Sequence, residues 1–311
     1  CRASGTVVVP DALRRAPRPG EGIGRPGPCI LTAAIVGAET TRAQNPHLPL
    51  TPQELGEEAA RCAAAGATVI HLHARDEHGR ASQATEHFRA AIRAIRERCD
   101  VIIQTSTGGA TGMSIDERCG PLHLTEGDSP LGDRPDMATL NVGTINFGDD
   151  IFVNKRADTE EVARRIARSG AIPEVEIYDL GHLDITAELC RKELLKAPLH
   201  LQFVLGVPGA LTATRRNLEL LVERSAELPQ PITWGVAGIG RHELPMAAVA
   251  AQLGGNVRVG LEDNVFLAKG VLAEGSAPLV QRAAELCREA GRDVATIAQA
   301  RQILLDQYRP A

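Results

Sequence analysis

The sequence predicts a (β/α)8 barrel, and three observations carry that prediction. Eight apolar, β-type runs recur along the 311 residues, beginning near 29, 68, 101, 137, 172, 199, 231 and 256. Each is almost continuously apolar, as strands buried on both faces of a parallel sheet must be. Amphipathic helical segments separate them at roughly 25–40-residue intervals, the repeat of a strand–helix barrel. No G-x-G-x-x-G follows the first run, which tells against a doubly wound open sheet.

Taken in order, residues 1–28 are rich in Pro, Gly and Arg and lack the apolar core of a secretory signal. They are expected to form an extended arm over the barrel base or a neighbouring subunit, with one catalytic barrel domain over 29–311. The start at Cys1 rather than Met suggests a missing or processed beginning. Strand one reads CILTAAIVGA. The helix at 51–65 opens with Thr51, Pro52 and Glu54, a capping box with proline in the first turn, and stops at Gly66. The second strand, TVIHLHARD, leads to a helix at 85–98, and the third, VIIQTSTGG, to an atypical stretch. Residues 108–136 show little helical period, and a long segment at a barrel mouth is commonly a lid or substrate wall. The remaining strands are MATLNVGTINF, IPEVEIYDLG, LHLQFVLGVPG, PITWGVAGIG and NVRVGLEDN. Helices are expected at 158–169, 183–196, 213–226, 243–253 and 276–290.

Composition excludes several classes. A net charge of -5 provides no basic field for nucleic acid or anionic membrane, and 3% aromatic residues leave few base-stacking surfaces. No apolar run approaches the roughly 20 residues that span a bilayer. Cysteines 1, 29, 62, 99, 119, 190 and 287 are dispersed without a C-x-x-C pair, as expected of reduced, cytoplasmic thiols rather than disulfides or a cysteine zinc site.

Chemistry in such barrels gathers at the C-terminal ends of the strands. His71 and His73 stand two apart on strand two, so both imidazoles point the same way. A lone buried histidine is usually structural. An H-x-H aided by a carboxylate from another strand end is a metal site, and two imidazoles with one carboxylate leave zinc an open position. Iron or manganese would accept similar ligands. Spacing leaves the carboxylate open among Glu39, Asp76, Glu176, Glu262 and Asp263. The last two are adjacent, so on a strand only one can face the barrel axis.

Eight stretches together resemble the β-keto acid cleavage enzymes. They are TAAIVGAETTRAQNP (32–46), GATVIHLHARDEHG (66–79), VIIQTSTGGATGM (101–113), MATLNVGTINFGDDIFVN (137–154), PEVEIYDLGHLD (173–184), FVLGV (203–207), WGVAGIGRHELPMAA (234–248) and VRVGLEDNVFLAKG (257–270). The resemblance runs from about residue 29 to the end, and residues 120–134 look longer than usual. It implies zinc held by His71, His73 and Glu262, with Arg258 and Asp263 as a catalytic dyad. Glu39, Ser106, Thr107, Asn141 and Glu176 fall where the family lines its substrate pocket. It also implies a cytoplasmic homotetramer and acetyl-CoA as co-substrate.

The implied reaction exchanges acyl pieces between a β-keto acid and acetyl-CoA by Claisen and retro-Claisen chemistry. The members most similar act in lysine fermentation on 3-keto-5-aminohexanoate, giving acetoacetate and 3-aminobutanoyl-CoA. Asp263 is then the expected base, and Glu39 the expected partner of the substrate ammonium, with Glu176 second. Another β-keto acid such as dehydrocarnitine or β-ketoadipate is the alternative, followed by a metal-dependent hydrolase or a non-catalytic binding barrel. Arg215, Arg216 and Lys269 are candidate CoA phosphate partners but read first as solvated charges. The turn Gly206–Val207–Pro208–Gly209 is a candidate for contact with the pantetheine arm.

Overall fold

A computed structural model describes residues 27–125 and 130–308. The expected arm over 1–28 therefore lies almost wholly outside the described residues. Eight parallel strands close into a barrel: β1 (Leu31–Ala34), β2 (Val69–Leu72), β3 (Ile102–Thr105), β4 (Met137–Asn141), β5 (Ile172–Ile177), β6 (Leu199–Leu205), β7 (Ile232–Gly238) and β8 (Asn256–Val259). They run in sequential order, and β8 returns to pair with β1 at Leu31–Val257 and Thr32–Arg258. The (β/α)8 expectation holds.

Helices α1 (Pro52–Ala65), α2 (Thr85–Arg96), α3 (Arg156–Ser169), α4 (Leu180–Arg191), α5 (Arg215–Ser225), α6 (Glu243–Leu253) and α7 (Ala277–Glu289) wrap the barrel. At the start of α1 the Thr51 hydroxyl accepts from the Glu54 backbone N–H at 3.2 Å, and the Glu54 carboxylate accepts from the Thr51 N–H at 2.9 Å. That is the capping box read from sequence. An eighth helix, α8 (Ile297–Leu304), had no counterpart in the sequence reading. Its Ala300 and Leu304, with Leu305, cluster with Ile30, just before β1, and with Val69, Ile102, Met137 and Ile172, the first residues of β2 to β5. This apolar layer closes the N-terminal end of the barrel, leaving the opposite end for polar groups.

The stretch after β3 replaces a full helix with a short one, Ile115–Arg118, and a 3-10 segment, Gly120–Thr125. It is anchored on α2 rather than hanging free. Thr85 Oγ1 donates to the Gly120 carbonyl at 2.9 Å, and Arg93 pairs with Asp133 at 2.7 Å. Among its described residues, only those at its start, Gly108, Gly109 and Thr111, line the barrel-mouth cavity.

The fourth apolar run proves to be two elements. β4 ends at Asn141, and Ile145–Phe147 instead pairs antiparallel with Asp150–Phe152. Gly143 makes room for the break, because a Cβ there would lie 2.3 Å from His182 Nε2. The hairpin stands over the barrel mouth with Phe147 and Phe152 edge to face, centroids 6.1 Å apart.

Candidate active site

The C-terminal end of the barrel opens into a cavity of about 730 Å³. His71 and His73 enter it from the end of β2 as strand alternation requires, both buried, with ring centroids 5.3 Å apart. The Gln104 side-chain oxygen on neighbouring β3 accepts from His71 Nδ1 at 2.8 Å. With the hydrogen on Nδ1, the Nε2 lone pair is directed into the cavity.

Glu262 arrives differently from the sequence reading. β8 ends at Val259, and the chain turns at Gly260, whose φ of +150 and proximity to Ala34 (a Cβ would lie 2.1 Å from its carbonyl) admit no side chain. The turn is held from behind: Glu243 accepts from the Gly260 N–H at 2.7 Å, and Ser276 Oγ accepts from the Leu261 N–H at 3.0 Å. Because Glu262 and Asp263 lie on this turn and not on a strand, alternation does not separate them. Both line the cavity, which corrects the expectation that only one faces inward.

His71 Nε2 lies 3.4 Å and His73 Nε2 3.6 Å from Glu262 Oε1. The three donor atoms all fall within 4.8 Å of one another. Glu262 Oε2 is buried with no hydrogen-bond partner. Burial opposes ionisation of Glu262, but Arg258 and the two histidines outweigh it and hold the carboxyl well below its usual range. Burial likewise opposes a charge on His71, and Glu262 overcomes it, raising that imidazole. His73, with burial dominant, is pushed down to about 3 and stays neutral. An ionised carboxylate with an orphaned oxygen beside two imidazoles is a donor set whose chemistry fits a divalent cation.

Arg258 is the hub of the site. From mid-strand β8 it bonds Asp263 with two parallel contacts at 2.9 Å, Glu262 at 2.6 Å and Glu176 at 3.2 Å. Asp263 is buried, which raises its carboxyl to about 6 against the pull of Arg258. Three carboxylates face one guanidinium, so its removal leaves buried charge uncompensated. Arg258→Met is therefore expected to lose about 3–5 kcal/mol of stability. Urea unfolding checks it, and a loss below about 1 kcal/mol, the size of an exposed pair, would contradict the hub role.

Of the other expected residues, Ser106, Asn141 and Glu176 line the cavity, and Glu39 is exposed on its rim. The Asn141 side-chain oxygen is buried without a partner. Thr107 does not reach the cavity: its hydroxyl donates to the Thr139 carbonyl at 2.6 Å and ties β3 to β4. Asp76, a rival ligand on spacing, turns away and accepts from Arg80 at 2.8 Å. Tyr178 was missed by sequence reasoning. It lines the cavity and donates to Glu176 at 3.4 Å, and its place two residues after Glu176 on the same run was the available signal. The hairpin residues Phe147, Asp149 and Asp150 were also missed, and no local pattern marks them.

A model of the β-keto acid cleavage enzyme family matches residues 28–305. The chain belongs to that family. It is therefore an enzyme of the C–C-bond-cleaving acyltransferase type. It is 45% identical over 277 residues to the 3-keto-5-aminohexanoate cleavage enzyme of Fusobacterium nucleatum subsp. nucleatum, covering 88% of this chain and 97% of that protein. It is 37% identical over 278 residues to the 3-oxoadipate:acetyl-CoA acetyltransferase of Cupriavidus necator, covering 89% and 94%. The apo structure of ObcA shares the fold with a TM-score of 0.71 at 24% identity, covering 83% of this chain and 65% of that one. Among the described residues of this family member, no helix is long and apolar enough to cross a membrane.

Proposed function

We propose that this family member transfers an acyl group between 3-keto-5-aminohexanoate and acetyl-CoA, giving acetoacetate and 3-aminobutanoyl-CoA. The observation that carries the substrate is charge: the rim of the cavity holds Glu39, Asp149 and Asp150, an anionic mouth suited to an ammonium group. The 45% identity to an enzyme named for that substrate supports the same reading. The loop that carries Glu39 runs beside the centre: Gly37, two residues before it, packs against Glu262 with room only for a hydrogen (a Cβ would lie 2.7 Å from Glu262 Cγ).

A divalent cation bound by His71, His73 and Glu262 would act as a Lewis acid toward the keto and carboxylate oxygens of the substrate, acidifying the carbon between them. Asp263 takes the proton from that carbon, its carboxylate aimed by the two bonds from Arg258. The carbanion attacks the acetyl carbonyl of acetyl-CoA, forming a C–C bond and releasing CoA thiolate. The thiolate adds to the substrate's original keto carbon, the bond between that carbon and C2 breaks, and Asp263 returns its proton to C2. Arg258 balances the changing charge on Asp263 throughout. Ser106 and Asn141 supply hydrogen-bonding groups to the substrate carboxylate from the cavity wall.

The test mixes acetyl-CoA with 3-keto-5-aminohexanoate, dehydrocarnitine and 3-ketoadipate and measures acetoacetate. The aminated acid is expected to be preferred, and Glu39→Gln to reduce that preference about tenfold, the worth of one charge-assisted contact. An unchanged preference removes Glu39 from the role. Free acid formed without acyl transfer would mark a hydrolase instead.

A further inference from the structure

Beside the active-site cavity lies a second groove of about 680 Å³, lined by Arg241, Leu244, Pro245, Asn264, Phe266, Leu267, Ala268, Lys269 and Gly270. The same two loops build both spaces. The loop after β7 gives Ile239 to the cavity and Arg241 to the groove, and the loop after β8 gives Asp263 to the cavity and Asn264 to the groove. The Gly240 N–H donates to the Asp263 carbonyl at 2.7 Å, stitching the two loops together at the boundary between the spaces.

The groove's position is fixed by buried groups. Asn264 donates from Nδ2 to the Phe266 carbonyl at 2.6 Å and to Glu243 at 3.2 Å, and accepts from the Phe266 N–H at 3.1 Å. The hairpin Phe266–Ala268 and Val271–Leu272 is thereby held against the first turn of α6, with Lys269 and Gly270 at its tip. Phe266 and Leu267 are 44% and 36% exposed, unusual for such residues, and form an apolar face. Arg241 and Lys269 are exposed, and neither has a carboxylate partner among the described residues. Of the other two candidate cations, Arg215 is occupied by Glu219 at 2.8 Å, and Arg216 is exposed but lines neither the cavity nor the groove.

We propose that this groove binds the 3′-phosphoadenosine diphosphate end of coenzyme A, with Arg241 and Lys269 on its phosphates and the apolar face of Phe266 and Leu267 under the adenine. The proposal rests on the acetyl-CoA reading of the neighbouring cavity and names where that co-substrate's remote end is held. Charge decides the direction of entry. Glu39, Asp149 and Asp150 on the cavity rim repel a polyanion, whereas the β7 and β8 side offers two cations without a carboxylate partner among the described residues, Arg241 donating only to His242 Nε2 at 3.3 Å. Val207, Pro208 and Ile239 form an apolar wall of the cavity on the side of the β6 and β7 loops, suited to a pantetheine arm. The loops after the last two strands are also where barrel enzymes commonly place phosphates.

The test compares the wild-type chain with Arg241→Ala/Lys269→Ala, both substitutions being at exposed side chains. Binding of adenosine 3′,5′-bisphosphate is measured by calorimetry, and kcat/KM is measured with acetyl-CoA and with acetyl-pantetheine, which lacks the nucleotide. The double variant is expected to bind the bisphosphate about a hundredfold more weakly, about tenfold per charge-assisted contact. It is also expected to lose most of the wild-type preference for acetyl-CoA over acetyl-pantetheine, through KM. Equal bisphosphate binding, or an unchanged preference, overturns the proposal. So does a change of mass in solution with no change in nucleotide binding, which would make the groove a contact between copies of the chain. A wild-type protein that binds the bisphosphate at this groove but transfers no acyl group overturns the acetyl-CoA reaction and leaves the groove assigned.

Discussion

His71→Ala is expected to take the purified chain from about one bound divalent ion to nearly none, and acetoacetate formation to fall about a thousandfold. The size follows from what is lost. Lewis-acid stabilisation of developing enolate charge is worth several kcal/mol, and each 1.36 kcal/mol is a factor of about ten in rate. His71 is the ligand to remove because its geometry is already set: it is 1% exposed and tied through Nδ1 to Gln104 at 2.8 Å. A bare alanine also leaves Glu262 with one imidazole fewer beside an oxygen that has no partner. Elemental analysis reports the ion, and the unfolding midpoint of the apo protein reports whether the barrel itself has suffered. Full metal occupancy in the folded variant would dissolve the site.

Asp263→Asn is expected to behave in the opposite way, keeping its metal and losing turnover by about 10²–10⁴-fold. An amide cannot take up the proton between two carbonyls. Its shape still fills the pocket beside Arg258, although its NH2 group must face guanidinium N–H groups that now receive one good acceptor instead of two. The metal ligands His71, His73 and Glu262 are untouched. The pair of variants therefore separates two roles that the buried cluster mixes: metal gone with activity in one, metal retained without activity in the other. A kcat within tenfold of wild type would take Asp263 out of the proton transfer, and Glu176, which shares Arg258 at 3.2 Å, becomes the next carboxylate to replace.

The two histidines were legible because strand alternation is a local rule. His71 and His73 face one way whatever the rest of the chain does, and the structure places both rings in the cavity. The same rule failed after β8. Glu262 and Asp263 were expected on opposite faces of a strand, but the turn at Gly260 lets both side chains reach Arg258. Thr107 shows the converse error, since a residue in a pocket-lining motif directs its hydroxyl into the β3–β4 junction. The hairpin over 145–152 was hidden because an apolar run gives hydrophobicity and not the direction of the backbone.

The eight strands, their order and the end of the barrel that carries chemistry follow from the sequence by itself, because periodic burial and short connections leave few other topologies. So does the pairing of His71 with His73. The tertiary structure alone decided which carboxylate oxygen meets them, how Arg258 binds three acids at once, and that Arg241 and Lys269 share one groove. Those facts depend on contacts between residues far apart in the chain, such as Arg258 with Glu176, and only closure of the barrel sets such distances.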